Sequence, residues 1–189
     1  MDSRYVEVAT KVKELLIALD VDMSNENFIE TPRRYATFLL HHFPLDAEIE
    51  RFLNECAKAT FPTTYEGMIA YNNGVIYSIC PHHLASVRYV LDLAYISKTR
   101  AVGASKLHRI AETLARYPIL QEELTVHIAD AIQNLLAVDS VAVRLAGEHS
   151  CMRVRGVKSN GKIHTAVLRG AFLDDAAVKQ EFYSIIENK

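Results

Sequence analysis

The strongest constraint on this chain is a pair of short cysteine and histidine stretches that lie far apart in sequence. Ser78-Ile79-Cys80-Pro81-His82-His83 and Glu148-His149-Ser150-Cys151 together hold two cysteines and three histidines. Cys80 and His83 form a Cys-x-x-His pair, a spacing that lets both side chains turn toward one ion. Zinc takes cysteine sulfur and histidine nitrogen, and a catalytic zinc usually keeps three protein ligands and leaves one position to water. Cys80, His83 and Cys151 would make that set, with His82 and His149 as spare imidazoles able to carry protons near neutral pH. A fold that uses them so must bring the two stretches together. Taken alone, such a pair is equally consistent with buried thiols acting as small hydrophobes.

The hydrophobic pattern sets the frame around these stretches. Val6, Val8, Val12, Leu15, Leu16 and Leu19 recur at helical steps, which predicts an amphipathic helix over residues 3–19. Thr31-Pro32 opens a second helix, with Thr31 as cap and proline in the first turn, ending near His42. His41 and His42 are expected at the surface, where cations suit a helix end. A third helix runs from Ala47 to Lys58 and carries Cys56 as a core thiol. After Pro62 the pattern turns to strands: Met68–Tyr71 and Val75–Ile79, split by a turn at Asn72-Asn73-Gly74. From Val87 to Tyr95, apolar and polar positions alternate, as in a half-buried antiparallel strand, with Arg88 and Asp92 on the outer side. A helix follows from Gly103 to Arg116, capped by Ser105 and broken by Pro118, and another from Leu120 to Ala137. Strands are predicted at Ser140–Ala146, Met152–Val157 and His164–Leu168, with a hairpin turn at Ser159-Asn160-Gly161. The last helix runs from Asp174 or Asp175 to Ile186. Two helices cannot cover both faces of such a sheet, so an oligomer is expected. The resulting organisation is a helical region over residues 1–60 and an α+β catalytic domain over 61–189.

Charge narrows the function. The chain holds 21 Lys+Arg against 23 Asp+Glu, which argues against a broad nucleic-acid surface. No stretch has the ~18 apolar residues of a membrane helix, and the N-terminus has no signal-peptide core. Three cysteines make a poor disulfide framework and fit a cytoplasmic chain. Local basic pockets remain open. Ser105, Lys106 and Arg109 share the first turns of one helix, a natural phosphate site, though a solvated helix face has the same pattern. Arg153 and Arg155 alternate just after Cys151 and would point the same way. Gln121-Glu122-Glu123 follow a proline break, where one carboxylate could accept hydrogen bonds from a purine edge.

These motifs in order resemble the GTP cyclohydrolase I family. They read Ser78-x-Cys80-x-His82-His83-Leu84, Gly103-x-Ser105-Lys106-Leu107-x-Arg109-Ile110, Gln121-Glu122-x-Leu124-Thr125, and Glu148-His149-x-Cys151-Met152-x-x-Arg155-Gly156. Glu30-Thr31-Pro32-Arg33-Arg34 adds a fifth, so the resemblance spans about residues 28–187. It implies a T-fold, an antiparallel sheet carrying a pair of antiparallel helices, assembled into a toroidal homodecamer with sites between subunits. It also implies zinc on Cys80, His83 and Cys151, and opening of the GTP imidazole ring with loss of formate to give 7,8-dihydroneopterin triphosphate. His149 would protonate N7, and His82 with Ser105 would handle later protons. Gln121 and Glu122 would hold guanine, and Lys106, Arg109 and Arg155 the triphosphate.

The chain departs from that family at three places. Pro81 stands where an acid is usual, Asn72-Asn73 where a basic-acidic pair is common, and Lys162–Ala166 where threonine and serine prevail. These changes leave two alternatives in view. One is an enzyme acting on another purine nucleotide, or stopping at the ring-opened formyl intermediate. The other is a pterin- or purine-binding protein without turnover, which would have no need of all five cysteines and histidines.

Overall fold

Alternating apolar residues need a sheet with a covered face, and the computed structural model, which describes residues 3–187, provides one. The chain divides into two units, Met1–Pro44 and Leu45–Lys189. In the first unit, α1 (Ser3–Ala18) packs on α2 (Thr31–His42). Thr31 is not the cap predicted for α2. Glu30 holds that position without a side-chain cap, and the Thr31 hydroxyl bonds back to the Asn27 carbonyl at 3.4 Å. His42 is buried rather than at the surface, its ring edge against Phe38. Of the apolar stripe on α1 only Val12 is buried.

The second unit is built on a four-stranded antiparallel sheet in the order β2-β3-β5-β6. Its strands are β2 (Met68–Ile79), β3 (Ser86–Ile96), β5 (Val141–His149) and β6 (Ile163–Arg169). A short pair, β1 (Thr60–Pro62) with β4 (Arg100–Val102), lies outside it. Helices α3 (Asp46–Ala57), α4 (Ala104–Ala115) and α5 (Gln121–Leu136) contribute Cys56, Leu107, Ile110, Leu124, Ile128 and Ile132 to one core with Tyr89, Leu91, Leu93, Val141, Val143 and Leu145 from the sheet. The predicted cap of α4 is corrected: Gly103, not Ser105, precedes its first turn.

The opposite face is not left bare. The helices α7 (Ala171–Asp174) and α8 (Ala176–Glu187) lay Phe172, Phe182 and Ile186 over Ala94 and Ala142. That explains why Asp92, read as solvent-facing, is buried. Its carboxylate is accounted for twice. One oxygen accepts from the Asn73 backbone N–H at 2.9 Å and the other from Arg144 at 3.1 Å. Asn72-Asn73-Gly74 is therefore not a turn between two strands. β2 runs through it as one strand with a bulge between Tyr71 and Gly74, where Asn73 takes a positive φ of 56°. Asn is among the few residues that tolerate that conformation.

Removing a buried acid leaves both its partners unsatisfied. Asp92→Ala is expected to lower unfolding stability by about 3 kcal/mol, measured by denaturant titration. A loss within about 0.5 kcal/mol, the size of an ordinary surface change, would show that the bulge does not depend on this anchor.

The predicted strand Met152–Val157 is also corrected. Its alternation is real, but no ladder remains for it: the last pairs of β5 are His149 with Val87 and Gly147 with Ile163. Unpaired backbone must find bonds locally, and the chain turns into the short helix α6 (Ser150–Arg153). The Val154 N–H donates to the Ser150 carbonyl at 3.0 Å, and Ser159 N–H to Met152 at 3.0 Å. Arg153 and Arg155 consequently do not share a strand face. Arg153 pairs with Glu148 at 3.0 Å, while Arg155 is exposed.

Candidate functional site

The sheet brings the two stretches together by register. Ser78 pairs with Val87 and Val87 with His149, so the ends of β2 and β5 flank the start of β3. Beyond Ile79 the chain reverses through 80–85, with Cys80 N–H donating to the Ala85 carbonyl at 2.9 Å and Leu84 N–H to the Cys80 carbonyl at 2.9 Å. Pro81 takes the second place of that reversal, where its fixed φ suits the turn and no N–H is needed. This departure from the family pattern thus has a local structural reason. On the other side, α6 turns Cys151 back toward Cys80.

Cys80, His149 and Cys151 each offer a ligand atom, and these atoms all lie within 4.8 Å of one another. Among the described residues no other three cysteine, histidine or acidic side chains make such a group. His82 Nδ1 and His83 Nδ1 each stand 3.8 Å from Cys80 Sγ. Two sulfurs with imidazole nitrogens at these separations are the donor set that tetrahedral zinc takes, so the residues present fit the metal. Burial pushes the Cys151 thiol up, and Cys80 alongside adds to this. Binding a cation here would draw the thiolate form out and release protons. Burial pushes His149 down from its ordinary value, against a smaller upward pull from Glu122. Tyr89, beneath the site with its ring edge-on to His149 at a centroid distance of 6.1 Å, is pushed up by burial and then by the cysteines and Glu122.

These groups line a pocket of about 240 Å³, shared with Pro81, Ile119, Leu120, Gln121, Glu122 and Ile163. Glu122 is exposed at the first turn of α5, free to meet a ligand. Gln121 is different: it is 3% exposed, and its carboxamide is hydrogen-bonded at both ends within the fold. It lines the pocket, where the family resemblance sets it beside guanine, and its side-chain contacts follow from the register of β5 and β6. Ser105, Lys106 and Arg109 lie on the first turns of α4 and, like Arg155, are not among the residues that line the pocket. Asn72 and Asn73 serve the bulge, Asn72 also donating to the Ile185 carbonyl at 3.3 Å.

The pattern of the whole chain decides its kinship. The family model described as GTP cyclohydrolase I matches residues 8–187. This chain belongs to the GTP cyclohydrolase I family. A relative named GTP cyclohydrolase 1 from Dehalococcoides mccartyi is 35% identical over 185 residues, 96% of each chain. One of the same name from Corynebacterium glutamicum is 36% identical, over 93% of this chain and 89% of that one. Another from Streptococcus suis is 34% identical over 99% of this chain and all of its own length. Among solved structures, an apo crystal structure of an archaeosine synthase, QueF-Like, aligns at a TM-score of 0.44 and 13% identity, over 55% of this chain and 94% of that one. So distant a likeness carries no weight for function. As to membranes, no described helix is long and apolar enough to cross one.

Proposed function

We propose that the chain hydrolyses GTP, opening its imidazole ring, releasing C8 as formate and closing a pterin ring to give 7,8-dihydroneopterin triphosphate. The observation that carries this reading is the cluster of Cys80, Cys151 and His149 in one pocket with the exposed carboxylate of Glu122, in a chain of this family. Cys80, His83 and Cys151 would hold zinc, with His149 beside them. Zinc, when bound, supplies Lewis acidity and activates water at neutral pH. Glu122 accepts hydrogen bonds from the N–H edge of guanine, which fixes the ring in the pocket. His149 gives a proton to N7 as the ring opens. His82, two residues from Cys80 and on the pocket wall, moves protons in the later ribose opening and ring closure, helped by Ser105.

The pocket so lined is incomplete for a nucleoside triphosphate, since among the described residues its lining holds thiol, imidazole, carboxamide, carboxylate and apolar groups but no lysine or arginine. Lys106, Arg109 and Arg155 have the chemistry to bind three phosphates, arginine in bidentate fashion. We place Ser105, Lys106 and Arg109 of another copy at each pocket, in a homo-oligomer of T-fold subunits, a toroidal decamer by family resemblance. The unpaired outer edges of β2 and β6 offer the backbone groups through which sheets of neighbouring copies could join.

The deciding experiment incubates zinc-loaded protein with GTP and identifies products by mass spectrometry alongside a formate assay. Formate with dihydroneopterin triphosphate is the expected result. A formyl intermediate without formate would replace it with the truncated reaction, and unchanged GTP in a protein holding one zinc per chain would overturn the substrate assignment.

A further inference from the structure

We infer that Gln121 is a positioning residue for His149, holding its imidazole with the proton on Nε2. The argument begins at the carboxamide nitrogen. Gln121 Nε2 lies 2.9 Å from the Ile163 carbonyl, 3.3 Å from the Leu145 carbonyl and 3.2 Å from Thr165 Oγ1. Backbone carbonyls can only accept, so the end of the amide that meets them is the NH2. Flipping the amide would set an oxygen against two carbonyls in a buried place, at the cost of unsatisfied groups.

The hydroxyls agree with this orientation. Thr125 Oγ1 donates to the Gln121 backbone carbonyl at 2.7 Å, which uses its only proton. Thr165 Oγ1, 2.6 Å from Thr125 Oγ1, must then donate to it and keep its lone pairs for the Gln121 amide. Each hydroxyl proton has one place, and the two amide protons are shared among three acceptors. The oxygen end of Gln121 is thereby fixed as an acceptor, and Oε1 sits 3.0 Å from His149 Nε2. The ring nitrogen must be the donor, so the neutral imidazole carries its lone pair on Nδ1.

Packing holds the oxygen where it is. A Cβ at Gly147 would collide with Gln121 Oε1 and press on the Tyr89 ring, so the bare glycine makes the room. His149 thus lies nearly perpendicular to the Tyr89 ring and is held by Gln121 at Nε2. Any proton it exchanges, and any ion it meets, is served by Nδ1. The same hydrogen bond survives protonation, because Oε1 accepts from Nε2–H in both the neutral ring and the imidazolium.

Nitrogen-15 NMR of the full chain as purified, labelled at histidine, tests this without any substrate. His149 is assigned by the signal missing from His149→Ala. A proton on Nε2 is the expected result; a proton on Nδ1, or fast exchange between the two nitrogens, overturns the inference whatever any variant does. Gln121→Met fills the same space without an acceptor, and the His149 nitrogens should shift toward tautomeric averaging. An unchanged spectrum in the folded variant would equally overturn it. A second arm rests on the proposed GTP reaction. There, Gln121→Met should lower kcat roughly 10–100-fold, the usual size for a residue that orients a functional imidazole, with KM nearly constant. A raised KM at constant kcat would make Gln121 a substrate contact instead. Because the NMR arm needs no turnover, failure of the GTP reading and failure of this inference remain distinct.

Discussion

Cys151→Ala is expected to lose bound zinc and ring opening together. The expectation follows from how the residue is placed. Cys151 is on the single helical turn that begins where the β5 ladder ends, and its sulfur meets Cys80 and His149 only because that turn folds back. A site with two thiolates and imidazole nitrogen cannot spare a thiolate: the sulfurs carry the negative charge that offsets a dication. Metal analysis should fall from about one zinc per chain to near zero. The loss in kcat/KM should exceed the roughly 10–100-fold typical of residues that merely support a ligand. The side chain is half-buried and outside the sheet, so circular dichroism should change little and the thermal midpoint should match that of the metal-free parent chain. Retained zinc in a folded Cys151→Ala protein would remove Cys151 from the ligand set and with it the metal reading of the pocket.

How much of this was legible beforehand depended on where the information resides. The helices over residues 3–18, 31–42, 104–115 and 121–136 follow from periodicity, because a covered face repeats at helical spacing. The Cys80 turn and the Cys151 segment were legible as a candidate metal group, and the sheet register that brings Cys80, His149 and Cys151 together favours that reading over isolated buried thiols. What failed was local reading of features that depend on partners. Met152–Val157 alternates like a strand, yet a strand requires a neighbour with free backbone groups, and β3, which starts at Ser86, does not reach that far. Asn72-Asn73-Gly74 has turn composition, yet the buried Asp92 on the next strand captures the Asn73 N–H and keeps the chain extended through a bulge. Asp92 itself looked solvent-facing because α7 and α8, which cover that face, come some 80 residues later in the sequence. Gln121 lines the pocket, but its contacts with strands β5 and β6 and with His149 depend on register and were not legible in the sequence.

The two histidine candidates for the third ligand give opposite outcomes in one paired experiment. His149→Ala is expected to keep zinc near one per chain while ring opening falls on the order of 10²–10⁴-fold, the range for loss of a positioned proton donor. His83→Ala should instead release the metal. The reasoning weighs two observations that pull apart. His149 joins Cys80 and Cys151 in the tightest group of possible ligand atoms, which favours it as a ligand. His83 stands 3.8 Å from Cys80 Sγ on the same short turn, three residues on, so one reversal of the chain delivers both donors. A ligand and a proton donor need different things of an imidazole. The ligand gives its lone pair permanently to the ion, while the donor must take up and release a proton at that same nitrogen. Burial lowers the His149 pKa against a smaller upward pull from Glu122, and an imidazolium so placed gives its proton away readily. Zinc lost from His149→Ala and kept in His83→Ala would reverse the roles. His149 would then be the third ligand, its Nε2 proton still held by Gln121, and the proton for N7 would have to come from His82 on the pocket wall.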